Sequence, residues 1–289
     1  MRAMSEGQDR RSLVPSTPPG TLRGALRTTD GISIQAVYEP CTEGFEGDFP
    51  KDCGTAIVIA HGFTGSAERP AVRRTARVFR QYAAVVTFSF RGHGRSGGRS
   101  TVGDREVLDL AVAVEWARAL GHTRVVTVGF SMGGSVVLRH AALYRGRTEA
   151  RTDAVASVSA PARWYYRGTA PMRRLHWVVT RPAGRLVGRY GLHTRIHHRD
   201  WDPVPLSPVE SVPLIAPTPL LVVHGDRDPY FPLDHPRMLA EAAGAAGSGG
   251  SGGSGGPAEL WLEPGMGHAE NAADEALLAR IASWLTRTG

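Results

Sequence analysis

The sequence predicts an α/β fold built on a doubly wound, mostly parallel sheet, and three features predict it. Short apolar runs rich in β-branched residues recur, such as Ala56-Ile57-Val58-Ile59-Ala60, Val125-Val126-Thr127-Val128 and Leu220-Leu221-Val222-Val223. Unbroken runs of this length suit strands buried on both faces, as parallel strands are. Stretches of helical period alternate with them. The clearest spans 104–120, where Val107, Leu110, Ala111, Val114 and Ala117 share one face. A chain of 289 residues with 42% hydrophobic content has room for one large domain and a small inserted piece.

Taken in order, residues 1–20 read as a loose polar leader, with prolines at 15, 18 and 19, and the domain proper is assigned to 21–289. Ile32-Ser33-Ile34-Gln35-Ala36-Val37-Tyr38 alternates apolar and polar residues, the pattern of an edge strand with one wet face. A loop rich in Gly, Asp and Pro leads to the strand at 56–60, which runs into His61-Gly62-Phe63-Thr64-Gly65. A basic helix over 70–82 follows, then strands at 84–90 and 125–128 on either side of the 104–120 helix, another helix to about 144, and a strand at 154–158. Residues from about 160 to 215 break this rhythm with Trp164, Tyr165, Tyr166, Trp177, Trp201 and many arginines. Alternation resumes with the strand at 219–224 and a helix. A Gly/Ser tract at about 244–256 reads as a tolerated surface insertion. A strand at 259–262 and a helix with Leu277, Leu278, Ile281, Trp284 and Leu285 on one stripe close the domain.

The net charge of +7 is uneven. Between Asp153 and Asp200 there is no acidic residue, yet nine arginines fall there: 163, 167, 173, 174, 181, 185, 189, 195 and 199. No recognised nucleic-acid motif accompanies this basic segment, so a nucleic-acid partner is not expected. No apolar run is long enough for a membrane span, and the N-terminus lacks the apolar core of a signal peptide. A cytoplasmic protein is expected, with the two cysteines, Cys41 and Cys53, as reduced thiols, although the loop between them would allow a bridge. No Cys/His cluster has metal-binding spacing, and no metal or cofactor is expected.

The chemistry is expected at Gly129-Phe130-Ser131-Met132-Gly133, which fits G-x-S-x-G between a buried strand and an apolar helix start. A serine held at so sharp a corner takes a strained conformation that projects its hydroxyl, and side chains two residues away on either side would collide. The helix that follows favours negative charge at its N-terminus. A serine hydroxyl needs a base to become nucleophilic, and the base needs a carboxylate to orient it. Two loops after later strands offer them: His224-Gly225-Asp226-Arg227-Asp228-Pro229, with two candidate acids, and Gly265-Met266-Gly267-His268. His61 reads as a structural donor below the 61–65 turn. Gly92-His93-Gly94-Arg95-Ser96-Gly97 matches the G-x-G-x-x-G of dinucleotide sites, but polar residues follow where a helix should open, so the match is weak.

On these motifs the sequence resembles the α/β-hydrolases. Its G-x-S-M-G-G elbow and H-G-F-x-G turn are similar to the monoacylglycerol-lipase-like and serine-aminopeptidase-like esterases. The resemblance covers about residue 31 to the C-terminus. It implies Ser131 as nucleophile and Asp228 as acid, with Asp226 left to brace its turn. It also implies His268 as base and the backbone amides of Phe63 and Met132 as the oxyanion hole. The 160–215 segment stands where these proteins often insert a cap. Its aromatics, with Leu175, Trp177, Val178, Val179, Leu186 and Val187, are candidates for an acyl pocket or for cap packing. Its arginines are candidates for attracting anionic substrates or surfaces, or for a solvated face. The implied activity is cofactor-free cleavage of a carboxylic ester through an acyl-enzyme, with a small acyl ester as partner. Thioester, N-terminal peptide and carbon–carbon bond cleavage use the same machinery, and a catalytically silent binding module is the alternative of another class. The sequence leaves the oligomeric state open.

Overall fold

The structure, a computed structural model, describes residues 20–42, 54–247 and 258–288. The leader, save Gly20, lies outside the described residues, as do Cys53, and with it any pairing to Cys41, and the Gly/Ser tract from 248 onward. The chain opens with β1 (Leu22–Arg27), β2 (Ser33–Glu39), β3 (Thr55–Ala60), α1 (Pro70–Phe79) and β4 (Ala84–Phe88). Next come α2 (Glu106–Ala119), β5 (Arg124–Phe130), α3 (Met132–Tyr144) and β6 (Val155–Val158). A helical segment then intervenes, with α4 (Ala170–Thr180), α5 (Pro182–Tyr190) and the single turn α6 (Pro208–Ser211). The chain closes with β7 (Leu220–Gly225), α7 (Asp234–Gly247), β8 (Glu259–Glu263), the short α8 (Ala269–Ala272) and α9 (Glu275–Arg287).

The eight strands make one sheet in the order β1-β2-β4-β3-β5-β6-β7-β8. Every pair from β4 to β8 is parallel, and β2 and β1 are added antiparallel at one side. Successive residues of a strand point to opposite faces, so the apolar runs feed two cores. From β3, Ala56, Val58 and Ala60 join Leu110 and Val114 of α2 and Val136 of α3. Ile57 and Ile59 join Val72 and Phe79 of α1 and Leu278 and Ile281 of α9 on the other side. Each fully buried Ile, Leu or Phe contributes about 1.5–3 kcal/mol. Helices on both faces are what make continuous hydrophobic strands stable here.

One expectation is corrected. The alternating 32–38 stretch is not an edge strand, because β1 pairs along its full length, from Leu22 with Tyr38 to Arg27 with Ser33. The true edge, β1, was unmarked: it exposes most of its residues and carries a glycine in mid-strand. At the far side β8 has β7 as its single neighbour and is only partly buried.

Proline supplies the local start of the helices between β6 and β7. Pro171 and Pro182 stand in the first turns of α4 and α5, where a missing N–H costs nothing. The Thr169 hydroxyl caps α4 by accepting from the Met172 amide at 3.4 Å. Among the described residues no helix is long and apolar enough to cross a membrane.

Candidate active site

β5 and α3 meet at Ser131, whose backbone takes φ 51° and ψ −113°, a left-handed conformation few side chains adopt. The glycines explain how the corner closes. A Cβ at Gly129 would strike the Gly133 carbonyl, and one at Gly133 would strike the carbonyl of Ala60 in β3. The Ser131 amide donates to the Val158 carbonyl of β6 at 2.8 Å, which pins the corner to the neighbouring strand.

The other two groups arrive from adjacent parallel strands. Asp228 follows β7 and His268 follows β8, and Gly225 lets the two loops close, since a Cβ there would overlap the Met266 carbonyl. His268 Nδ1 lies 2.7 Å from Asp228 Oδ2, and His268 Nε2 lies 2.9 Å from Ser131 Oγ. An ionised carboxylate has no proton to give, so Nδ1 carries the ring proton and Nε2 accepts from the serine hydroxyl. Asp228 Oδ1 accepts from the amides of Tyr230 at 2.8 Å and Phe231 at 3.1 Å. Burial pushes this carboxyl up, but the His268 hydrogen bond and charge and those two amides outweigh it, leaving it below the ordinary carboxylate value. Asp226 takes the bracing position: its Oδ1 accepts from the Gly265 amide at 2.6 Å, tying the acid loop to the β8 turn.

Three neighbours were not singled out from the sequence. His224 stands one helical spacing before Asp228 and places Nε2 3.6 Å from its Oδ2, while donating to the Phe231 carbonyl at 2.9 Å. Glu270, two residues past His268, accepts from the Gly62 amide at 3.1 Å, so the histidine loop and the 61–65 turn are joined. Ser159 accepts from the Ala269 amide at 3.1 Å and fixes that loop to the end of β6. Spacing was the available signal for His224. The contacts of Glu270 and Ser159 span 208 and 110 residues and left none.

His61 is structural, as expected. The Phe90 amide can only donate, and it donates to Nε2 at 3.0 Å, so Nδ1 holds the proton and gives it to the Gly62 carbonyl at 2.7 Å. Burial, then His93, pushes this imidazole down to about 3, and it stays neutral. In the 92–97 loop the amides of Gly92, His93, Ser96 and Gly97 donate to the chain's own carbonyls, and no helix opens before Glu106.

Above Ser131 lies a cavity of about 460 Å³. Phe63 and Met132 line it with the serine, and so do Trp164, Tyr165, Tyr166 and Trp201. Of the aliphatic candidates, Leu175 and Val179 face it. Trp177, Leu186 and Val187 do not: they sit on the outer side of α4 and α5, 47%, 59% and 47% exposed. Helical period brings Leu175 and Val179 to one face and turns Trp177 away from it.

Comparison with known proteins agrees with this architecture. The α/β-hydrolase fold family matches residues 55–178. The chain carries the α/β-hydrolase fold. It is 28% identical over 222 residues to a monoacylglycerol lipase of Mycolicibacterium smegmatis, spanning 64% of this chain and 74% of that one. Among solved structures it is similar to an esterase of Pyrococcus furiosus, with a TM-score of 0.66, 20% identity and 92% of each chain covered. A serine hydrolase without a lid from Xanthomonas campestris superposes with a TM-score of 0.56 at 19% identity, over 94% of each chain. These structural likenesses speak to the fold, and the sequence similarity is to a monoacylglycerol lipase.

Proposed function

We propose that this chain is a serine hydrolase that cleaves a carboxylic ester through an acyl-enzyme, with Ser131, His268 and Asp228 as its catalytic residues. The observation that carries the reading is the continuous hydrogen-bonded line from Asp228 through His268 to Ser131 at the floor of the cavity. Ser131 Oγ attacks the ester carbonyl carbon while His268 Nε2 takes its proton. The backbone amides of Phe63 and Met132 receive the negative oxygen of the tetrahedral intermediate, and each such donor is worth about 10²–10³ in rate. Collapse expels the alcohol, which takes the proton from His268 and leaves the acyl group on Ser131. A water then gives its proton to His268 and attacks the acyl carbon. The acid departs, and the proton returns to Ser131. Asp228 keeps the imidazole in the required tautomer throughout. In this reading the segment between β6 and β7 is a cap, and its inward residues bound the space for the acyl chain.

The lipase and esterase names of the similar proteins support ester over amide or thioester as the bond cleaved. A binding module gains nothing from a hydroxyl, an imidazole and a carboxylate in one hydrogen-bonded line. The test is turnover of 4-nitrophenyl butyrate, with labelling by a fluorophosphonate, for the wild type and Ser131→Ala. The expected result is labelling at Ser131 and a fall in kcat of roughly four to six orders of magnitude in the variant. Turnover that survives the substitution removes Ser131 from the chemistry. No labelling and no turnover of any acyl substrate would leave the binding module.

A further inference from the structure

The arginines between β6 and β7 are unusual for what they lack. Among the described residues, Arg163 alone of the nine comes within ion-pair distance of a carboxylate, Asp234 at 3.0 Å. The others that make hydrogen bonds use neutral acceptors. Arg173 donates to the carbonyls of Arg167 and Gly168, Arg185 to those of Val179 and Thr180, and Arg195 to that of Ser96. Arg167 donates from Nε to His176 Nδ1 at 3.3 Å. Burial, then the Arg167 charge, pushes His176 down from its ordinary value. It is therefore a neutral acceptor that orients the guanidinium without cancelling its charge.

Two of these uncompensated cations, Arg167 and Arg199, line the same cavity as Ser131, with Asp200 as the one acid there. The rest of that wall is largely apolar, from Phe63 and Val102 to Leu175 and Val179. A space with a hydroxyl at one point, an apolar lining and two unpaired guanidinium groups matches an amphiphile that carries its own negative charge. We propose that the cavity selects esters bearing an anionic group, carboxylate or phosphate, which Arg167 and Arg199 receive while the ester lies at Ser131. Guanidinium groups suit this task because they pair with carboxylate and phosphate through two parallel N–H donors. The positive field of the segment also raises the local concentration of such a substrate. The inference rests on the ester-cleaving reading for its substrate class and adds the charge.

The test compares matched pairs. 4-Nitrophenyl hydrogen adipate against 4-nitrophenyl hexanoate places the charge on the acyl side. 1-Hexanoylglycerol 3-phosphate against 1-hexanoylglycerol places it on the alcohol side. The anionic member of at least one pair is expected to lead in kcat/KM by about tenfold, the effect of one charge-assisted contact in a partly screened site. The lead should shrink with added salt and vanish in Arg167→Gln/Arg199→Gln, read as the ratio of the two members measured on the same enzyme. Equal or better turnover of the neutral member in both pairs overturns the proposal, as does a ratio the double variant leaves unchanged. Binding is measured separately on Ser131→Ala, through the fluorescence of Trp164 and Trp201 in the cavity wall. Charge-selective binding without turnover of any ester would fault the acyl-enzyme reading and keep this one. Turnover without charge preference would do the reverse. An unmoved ratio, with sedimentation on phosphatidylglycerol vesicles lost in Arg174→Gln/Arg181→Gln, would assign the charge to a membrane surface and overturn it too.

Discussion

Arg91, Arg118 and Arg139, little exposed in the body of the fold, each pair with a carboxylate, whereas among the described residues eight of the nine arginines between β6 and β7 do not. Arg91 shows the first condition. Its guanidinium lies 2.7 Å from Asp109, which is fully buried, and 2.7 Å from Asp30, and its Nε also donates to Asp109. Burial pushes the guanidinium down, but the hydrogen bonds of Asp109 and Asp30 outweigh it and hold Arg91 charged, above its ordinary value. Arg118 also pairs with Asp153, at 2.8 Å, and Arg139 with Asp104, at 3.6 Å. Arg174 and Arg181 are exposed and, among the described residues, make no ion pair. A buried charge must be paired or it unfolds its surroundings, whereas an exposed one can stay unpaired and remain available to a ligand. The difference separates residues that hold the fold from residues free to serve recognition.

That division can be broken by experiment. The largest expected effect lies in the sheet's own loops, where Asp228→Asn is expected to lower kcat by about 10⁴ through the wrong imidazole tautomer; retention of full ester turnover would remove Asp228 from the site. Next comes Arg91→Gln, which strands the Asp109 carboxylate in the core and is expected to cost about 3–5 kcal/mol in urea unfolding. Arg174→Gln is the matched control and is expected to change stability by less than about 0.5 kcal/mol. Comparable losses in the two variants would erase the distinction.

Acid sharpens it further. His61 and His140 are buried in the body and pushed down to about 3, His61 by burial and then His93, His140 by burial. Both ring nitrogens of His140 are without a hydrogen-bond partner among the described residues, and the ring stacks on Tyr144. In the unfolded chain these rings take up a proton below about pH 6.5, and in the folded protein only near pH 3. The unfolded state therefore binds more protons across that window, and stability falls as pH drops from about 6.5 to about 3. Each ring costs about 1.4 kcal/mol per pH unit. Urea midpoints for His140→Leu should fall less steeply with acid than those of the wild type, and an unchanged slope would refute the assignment.

Much of this was legible because burial on both faces leaves an unmistakable run of apolar residues. The β3, β5 and β7 strands announce themselves that way, and Gly129-Phe130-Ser131-Met132-Gly133 announces a corner that admits no Cβ at either end. Loops after strands offer His268 and two acids, and only the resemblance picks Asp228 over Asp226. What stayed hidden depends on contacts across the chain. β1 buries too little to impose a pattern, and without it β2 reads as the edge. The Gly62 contact of Glu270 and the packing of Ser159 against the histidine loop join residues with no local relation. Trp177 resembles a pocket residue by composition alone; only the helical rotation that turns Leu175 and Val179 inward shows it facing out.

The sheet order has a last consequence, for how the protein comes apart. Ser131 hangs from β5, with a partner strand on each side, while His268 is carried beyond β8, the outermost and least covered parallel strand. Opening of a sheet starts where neighbours are fewest. On the ester-cleaving reading proposed above, detaching that margin would carry off the imidazole and leave the Ser131 corner standing, so activity would be lost while most of the molecule is still folded.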